Sequence, residues 1–237
     1  MIRLYVDRDF EVGAELKLPA DELRYFKSVR RGQGEVRLFN RAGQEAVGVI
    51  NGSIFSILDV KKIDVPTYNL SIGVGMPESS MIPQIIRSLS ELGAAEVFFF
   101  LADRSQRFKN QTALKALEIR WGRIAIESAR QCGRPRPLDV SMKDWRTEEF
   151  TSSFDGRFLM DESSVKEKQA PLAKMTKIQR ILILVGCEGG WTQEERDTAR
   201  QRGFASVHFH TPILRVETAA VCAGFYGMQL LGGGEGG

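Results

Sequence analysis

The chain has 237 residues, 43% of them hydrophobic, and a net charge of +3 at pH 7. That length suits one large domain or a small domain joined to a larger one, and the apolar content excludes a mainly disordered chain. No apolar run approaches the roughly 20 residues that cross a bilayer, and the first residues do not resemble a signal peptide. Because no run is long enough to span a bilayer, we expect no membrane partner. Three widely spaced cysteines fit neither a disulfide framework nor a zinc site, so we expect reduced thiols and a cytoplasmic location.

The first part of the chain, residues 1–66, reads as short strands separated by turn signals. Asn51-Gly52 is a hairpin signal between two of these strands, and one helix interrupts the series. Pro66 closes the segment. The predicted strands are Ile2–Val6, Glu35–Phe39, Glu45–Ile50 and Ile54–Val60, and the predicted helix is Asp21–Arg30. This pattern predicts a small β-barrel.

Strands alternate with helices over residues 67–231, which predicts a three-layer α/β domain with a mainly parallel sheet. Glu96–Leu101 and Ile181–Val185 are apolar enough to be buried on both faces of such a sheet. The other predicted strands are Leu70–Val74, Arg157–Met160 and Ala205–Phe209; the predicted helices are Met81–Leu92, Thr112–Gln131, Gln193–Arg202 and Val216–Leu231. Residues 232–237 predict a flexible glycine-rich tail.

Four helix ends, on three helices, carry local signals. Ser79 or Ser80 can cap the first of these helices, and Gly93 can end it. Thr192 and Glu195 form a capping-box pattern, and Glu217 or Thr218 can cap the last helix.

A glycine-rich loop, Gly186-Cys187-Glu188-Gly189-Gly190, follows the strand Ile181–Val185 directly. Glycines allow a sharp turn and a close approach to a ligand, and ligands of open α/β sheets bind at the carboxyl ends of strands. The same residues also suit a tight strand-to-helix turn that binds nothing. The pattern alone leaves both interpretations open.

A second candidate segment, 212–220, precedes the last helix and contains Arg215 and Glu217. An arginine and a glutamate two residues apart at a strand-to-helix junction can orient a substrate. Glu217 can equally be a favourable charge at a helix start, worth about 0.3–1 kcal/mol.

Basic residues concentrate between Arg104 and Arg146, a stretch that contains eleven Lys and Arg and only four Asp and Glu. Such a cluster in an otherwise slightly acidic chain favours a phosphate-bearing partner. Helical spacing places Arg120, Arg123, Arg130 and Arg134 on one face of the long helix, which predicts either RNA contact or an ordinary solvated face. Arg136 adds charge on the stiff segment that follows.

Other common sites find no support. The chain has no dinucleotide-binding glycine fingerprint, no Walker loop and no histidine-rich metal pattern. His208 and His210 flank Phe209 and are more typical of a strand face than of metal ligands. Cys187 has no neighbouring histidine base, which disfavours a cysteine nucleophile.

The glycine loop and the segment 213–219 together resemble the SPOUT methyltransferases that act on N3 of a uridine in 16S ribosomal RNA. The loop is similar to the family's Gly-Pro-Glu-Gly-Gly, with Cys187 in place of the proline. Ile213–Ala219 is similar to its Ile/Val-Leu-Arg-x-Glu-Thr segment. Further matches, in the family's order, are 29–32, 38–40, 90–93, 103–105 and 131–134. Tyr25, Phe26 and Lys27 stand where the family usually has a histidine.

The resemblance implies a PUA-like barrel at 1–66, an α/β SPOUT domain with a C-terminal trefoil knot at 67–231, and a homodimer. It implies S-adenosylmethionine as cofactor and ribosomal RNA or the small ribosomal subunit as partner. Arg215 and Glu217 are then the expected catalytic pair. The expected cofactor-binding residues are Leu184, Gly186, Glu188, Gly189, Gly190, Ile213, Leu214 and Thr218. The expected RNA-binding residues are Arg30, Arg31, Arg104, Arg123, Arg130, Arg134 and Arg136.

Two other functions remain open at this point. One is a related knotted methyltransferase that modifies another RNA atom. The other is a non-catalytic RNA-binding factor of ribosome assembly, which the presence of both cofactor-loop segments disfavours because binding alone requires neither.

Overall fold

The computed structural model of the chain describes residues 2–30, 36–63, 69–105, 111–162, 178–209 and 211–232. Contacts divide the chain into two compact units. The first contains Met1–Pro66 together with Ile126–Pro137, and the second contains Thr67–Ala125 and Leu138–Gly237. No described helix combines the length and apolar character that crossing a membrane requires.

The first unit is built on a five-stranded sheet with the order β1-β3-β4-β5-β2. The pair β1–β3 is parallel and the other pairs are antiparallel. The strands are β1 Ile2–Tyr5, β2 Glu15–Lys17, β3 Val36–Phe39, β4 Gln44–Asn51 and β5 Ile54–Lys62, and the helix α1 is Ala20–Arg30. Buried aliphatic and phenylalanine side chains from these elements, with Leu4, Leu38 and Phe55 fully enclosed, form its core.

The second unit contains a six-stranded sheet with the order β11-β9-β10-β6-β7-β8, in which every neighbouring pair is parallel. Its strands are β6 Asn69–Gly75, β7 Glu96–Phe100, β8 Asp139–Met142, β9 Gly156–Met160, β10 Arg180–Val185 and β11 Ala205–Val207. Its helices are α2 Ile82–Glu91, α3 Gln111–Cys132, α4 Glu148–Ser152, α5 Gln193–Gln201 and α6 Val216–Gly232, of which α3 continues into the first unit. The parallel α/β architecture predicted from alternating strands and helices is confirmed.

The central strands are apolar because both faces of the sheet are covered. One face packs against α2, the first part of α3 and α6 around residues such as Ile72 and Ile183. The other face packs around Phe98, Leu182 and Trp191. This double covering explains why Ile181–Val185 is apolar at every position, as the sequence predicted.

The structure differs from the sequence predictions in several details. The strands β2 and β8 and the helix α4 were not predicted, since each has five residues or fewer and is too short to show a repeated apolar pattern. β11 ends at Val207, so the prediction that it reaches Phe209 is wrong, and His210 lies outside the described residues. α2 has Met81 as its N-cap with no side-chain cap bond, so the serine cap is also wrong. The capping box of Thr192 and Glu195 is present.

Helix ends also bear on three smaller predictions. α6 begins at Val216, so Glu217 lies in its first turn and does not cap it. Gly93, with φ of +89°, follows the end of α2 as predicted. α6 extends to Gly232, and the rest of the predicted tail, 233–237, lies outside the described residues.

Candidate active site

A cavity of about 420 Å³ lies at the carboxyl edge of the parallel sheet in the second unit. Lining residues within 160–162, 185–191 and 207–209 end or follow the neighbouring strands β9, β10 and β11, and they meet because parallel strands place their carboxyl ends at one edge of the sheet. A fourth segment leads into α6. The lining residues are Met81, Met160, Asp161, Glu162, Val185, Gly186, Cys187, Glu188, Gly190, Trp191, Val207, His208, Phe209, Thr211, Pro212, Ile213, Leu214, Arg215, Val216 and Ala219.

The glycine loop forms one wall of the cavity. The Gly190 amide donates to the carbonyl oxygen of Cys187 at 2.9 Å, and Gly190 has a φ of +66°, which closes the turn in a conformation that favours glycine. A Cβ on Gly186 would lie 3.3 Å from the Trp191 ring. The wall therefore has this shape because these positions carry no side chain.

Trp191 fixes the end of this loop. Its ring is 1% exposed, stacks on Phe100 and donates through Nε1 to the carbonyl oxygen of Met160 at 2.8 Å. Because Met160 ends β9 and Trp191 follows the glycine loop, this bond joins two walls of the cavity.

The cavity wall next to Trp191 contains an ion pair between Asp161 and Arg196. Asp161 is 4% exposed and accepts from Nε of Arg196 at 2.9 Å. Arg196 also donates to the Trp191 carbonyl oxygen at 2.9 Å. The hydrogen bond to Asp161 is the main cause that raises the pKa of the Arg196 guanidinium. Arg196 therefore connects Asp161, after β9, with Trp191, after the glycine loop, and so holds the wall together.

The segment before α6 forms the opposite side. Arg215 is exposed and lines the cavity, and its carbonyl oxygen accepts from the Ala219 amide at 2.8 Å. Glu217 lies in the first turn of α6 outside the lining. Its Oε2 atom is buried and has no hydrogen-bond partner among the described residues. A buried carboxylate oxygen without a partner is costly, so it is a candidate for a functional role.

Five of the predicted cofactor-binding residues line the cavity and three do not. Gly186, Glu188, Gly190, Ile213 and Leu214 are in the lining. Leu184 is fully buried inside the sheet, while Gly189 and Thr218 are exposed outside the lining. Glu188 also accepts from the Glu78 amide at 2.9 Å, which ties the glycine loop to the segment after β6.

Residues 64–225 match the RNA methyltransferase domain family. The chain belongs to this family. Ribosomal RNA small subunit methyltransferase E of Bacillus subtilis is 30% identical over 175 residues, 69% of this chain and 68% of that protein. The protein of the same name in Aquifex aeolicus is 32% identical over 139 residues, and the match spans only 58% of each chain.

Two solved structures share the fold of this RNA methyltransferase family member. A Neisseria gonorrhoeae ribosomal RNA small subunit methyltransferase E bound to S-adenosyl methionine has a TM-score of 0.81 at 23% identity, over 98% of both chains. A Legionella pneumophila methyltransferase in complex with bound SAM has a TM-score of 0.83 at 18% identity, over 96% of both chains. At these identities the likeness establishes the fold.

The predicted RNA-binding arginines of this RNA methyltransferase occupy different environments. Arg120 and Arg123 are exposed on α3, as the helical spacing predicted. Arg130 is not on an exposed face: its side chain is 10% exposed, and its guanidinium bonds both oxygens of Glu22 at 2.6 and 2.8 Å and lies over the Tyr25 ring. That part of the prediction is wrong because α3 packs into the first unit beyond Ala125.

Arg134 and Arg136 are partly buried, and the Arg134 carbonyl oxygen accepts from Arg3 at 2.7 Å. Arg104 is exposed and donates from Nη1 to the Gly189 carbonyl oxygen at 2.7 Å. Arg30 ends α1, and Arg31 lies outside the described residues.

Several cavity residues were missed by the sequence analysis: Met81, Asp161, Glu162, Trp191 and Thr211. His208 was considered only as a strand-face residue. Asp161 and Glu162 had one detectable signal, since they directly follow the predicted strand Arg157–Met160 at its carboxyl end. Their place beside the glycine loop depends on β9 being the neighbour of β10, which the sequence does not state.

Proposed function

We propose that the protein methylates N3 of a uridine in 16S ribosomal RNA, with S-adenosylmethionine as methyl donor. One observation carries this proposal. In a member of the RNA methyltransferase family, the glycine loop and the segment 211–216 line the same cavity at the carboxyl edge of the sheet. The names of the bacterial relatives support small-subunit ribosomal RNA as the substrate.

The cavity suits S-adenosylmethionine in size and in chemistry. Its volume of about 420 Å³ falls within the usual range of small-molecule sites. Met81, Val185 and Ala219 offer apolar contact, while Glu162 and Glu188 offer negative charge to a ligand with a cationic sulfonium and an ammonium group. When bound, this cofactor supplies an electrophilic methyl group.

Arg215 and Glu217 are the proposed catalytic residues. Uridine N3 carries a proton that must leave when the nitrogen is methylated. Glu217 lies outside the lining but between the lining residues Val216 and Ala219, and its Oε2 is buried without a partner among the described residues; we assign it as the acceptor of that proton. Arg215, in the cavity lining, stabilises the negative charge that develops on the uracil ring. N3 lies on the pairing edge of the base, so the target uridine must be unpaired or swung out of its stack.

The finer architecture belongs to the same proposal. We propose that the sheet of the first unit is part of a PUA-like barrel that binds RNA, with Arg30 and Arg31 as contacts. We propose that the second unit carries a trefoil knot at its C-terminal end, supported by the way the segment before α6 meets the glycine loop. A homodimer and a cytoplasmic location complete the proposal. Arg104, Arg120 and Arg123, all exposed, are the preferred RNA contacts in the second unit.

Mass spectrometry of nucleosides from 16S ribosomal RNA tests the function. Deletion of the gene should remove a 3-methyluridine that returns with the wild-type gene and not with Arg215→Ala. Loss of a different methylated nucleoside would indicate a related enzyme acting on another RNA atom. An unchanged nucleoside profile would support a non-catalytic RNA-binding protein and contradict the proposal.

A further inference from the structure

Arg104 lies against the outer side of the glycine loop, away from the cavity lining. It follows β7, and its Nη1 donates to the Gly189 carbonyl oxygen at 2.7 Å. A Cβ on Gly189 would lie 2.8 Å from Cβ and 3.2 Å from Cδ of Arg104. The arginine stem therefore packs flat on the Gly189 backbone, and the absence of a side chain at Gly189 makes this possible.

The segment that carries Arg104 is itself anchored. The Asp103 amide donates to Oε1 of Glu195 at 3.1 Å, and Thr192 Oγ1 donates to Oδ2 of Asp103 at 2.8 Å. Arg146 bonds both Asp103 and Glu195, at 3.1 and 3.2 Å. Glu195 is only 1% exposed. Because Thr192 and Glu195 follow the glycine loop in the chain, this network holds the base of Arg104 at a fixed distance from the loop.

The Arg104 guanidinium can bind two partners at once. A guanidinium has five N–H donors in a planar fork, and the bond to Gly189 occupies one of them. The side chain is exposed, and arginine forms strong forked hydrogen bonds to phosphate. A phosphate bound there would select the rotamer that also holds Gly189, out of those that an exposed arginine can sample.

We propose that Arg104 is a positioning residue that couples RNA binding to cofactor binding. It holds the glycine loop in its cavity-lining shape, and an RNA phosphate on the same guanidinium strengthens that hold. RNA therefore tightens cofactor binding, and the cofactor tightens RNA binding by the same factor. This inference rests on the proposed function.

Equilibrium dialysis with labelled S-adenosylhomocysteine tests the coupling, since this probe has no methyl group to transfer. Its affinity is measured with and without a saturating transcript of 16S ribosomal RNA. In the wild type, RNA should lower the Kd about fivefold or more. Arg104→Ala should bind the probe about fivefold more weakly without RNA and should show no RNA effect.

Three further variants separate positioning from general stability. Arg104→Lys should retain the affinity measured without RNA and lose the RNA effect, because an ammonium lacks the planar fork. Gly189→Ala should behave like Arg104→Ala although no charge is lost, since its Cβ displaces the arginine stem. Arg200→Ala is the matched control: the Arg200 side chain is 59% exposed and forms an ion pair with Asp197 at 2.8 Å, and its removal should change neither affinity.

The outcomes distinguish this inference from the proposed function. A wild-type protein that neither binds the probe nor methylates 16S ribosomal RNA overturns both. A wild type that does both, with an RNA effect that is absent or that survives in Arg104→Ala, overturns the coupling alone.

Discussion

Glu22 and Glu217 both place carboxylate oxygens inside the protein, and their surroundings differ. Glu22 is fully engaged: Arg130 donates to both of its oxygens and the Tyr5 amide donates at 3.1 Å. Oε2 of Glu217 is buried with no partner among the described residues. The arrangement of Glu22 is typical of a structural ion pair. The arrangement of Glu217 is typical of a group that binds a ligand or accepts a proton.

Glu217→Gln should separate catalysis from stability. The amide cannot accept the uridine proton, so the rate of methyl transfer should fall about 100-fold or more. The unfolding free energy should stay equal or rise, because the substitution makes neutral a carboxylate whose Oε2 is buried with no hydrogen-bond partner among the described residues. Single-turnover methylation of 16S ribosomal RNA and chemical denaturation measure the two quantities. An undiminished rate would exclude Glu217 as the base.

Glu22 should make stability depend on pH in the first unit. Burial, the largest effect, raises the pKa of its carboxyl above the ordinary 4.5, and Arg130 opposes that shift. The folded state therefore holds this proton more tightly than the unfolded state. The contribution of Glu22 to stability is full below about pH 4.5 and is lost as pH rises through the raised pKa.

The unfolding free energy of the wild type should thus fall relative to that of Glu22→Gln as pH rises from 4 to 7. Denaturation curves at several pH values measure this difference. A relative rise with pH would mean that Arg130 dominates over burial.

At the scale of elements, α6 approaches the sheet and α2 through glycines. A Cβ on Gly227 would lie 2.4 Å from a Leu70 methyl and 3.1 Å from Ile183, and one on Gly224 would lie 2.8 Å from Leu89. A Cβ on Gly122, inside α3, would meet open space, with no neighbouring atom within 4 Å. Alanine substitutions at Gly227 and Gly122 should therefore change stability in opposite directions.

Gly227→Ala should lower the unfolding free energy by about 1–3 kcal/mol, because the added methyl overpacks the contact between α6 and the sheet. Gly122→Ala should raise it by about 0.5–1 kcal/mol, because alanine loses less backbone freedom in a helix. Thermal or chemical denaturation of both variants checks the pair. Equal effects would show that α6 does not pack on the sheet through Gly227.

The elements also show what could be predicted from sequence. Apolar runs predicted β6, β7 and β10, because strands covered on both faces need no polar residues. β8 was missed because its polar–apolar alternation covers only four residues. The ion pair of Arg130 was missed because its partner lies 108 residues away. The glycine loop and segment 213–219 were found through their motif, whereas Asp161 lies beside the loop only because β9 is the neighbour of β10.

At the scale of the whole molecule, subunit exchange tests the proposed dimer. Arg30→Glu with Arg31→Glu should weaken RNA binding, and Arg215→Ala should abolish methyl transfer. If RNA contacts the first unit of one protomer and the cavity of its partner, mixing these two inactive variants should restore part of the activity, since a mixed dimer retains one intact composite site. Methylation assays after subunit exchange measure this.

Light scattering at micromolar concentration is the companion measurement. A monomeric mass would remove the premise of the exchange experiment. A dimeric mass without recovered activity would instead mean that both contacts belong to one protomer.

The first unit is discontinuous in the chain, and this has a consequence during synthesis. Arg3 donates to the Ala129 carbonyl oxygen at 2.9 Å, across 126 residues. At about 5–20 residues per second, roughly 6–25 seconds separate the synthesis of the two partners. During that interval Arg3 can bond only its nearer partner Glu45, and Glu22 has the Tyr5 amide but lacks Arg130. A fragment that ends at residue 66 would lack both Ala129 and Arg130 permanently.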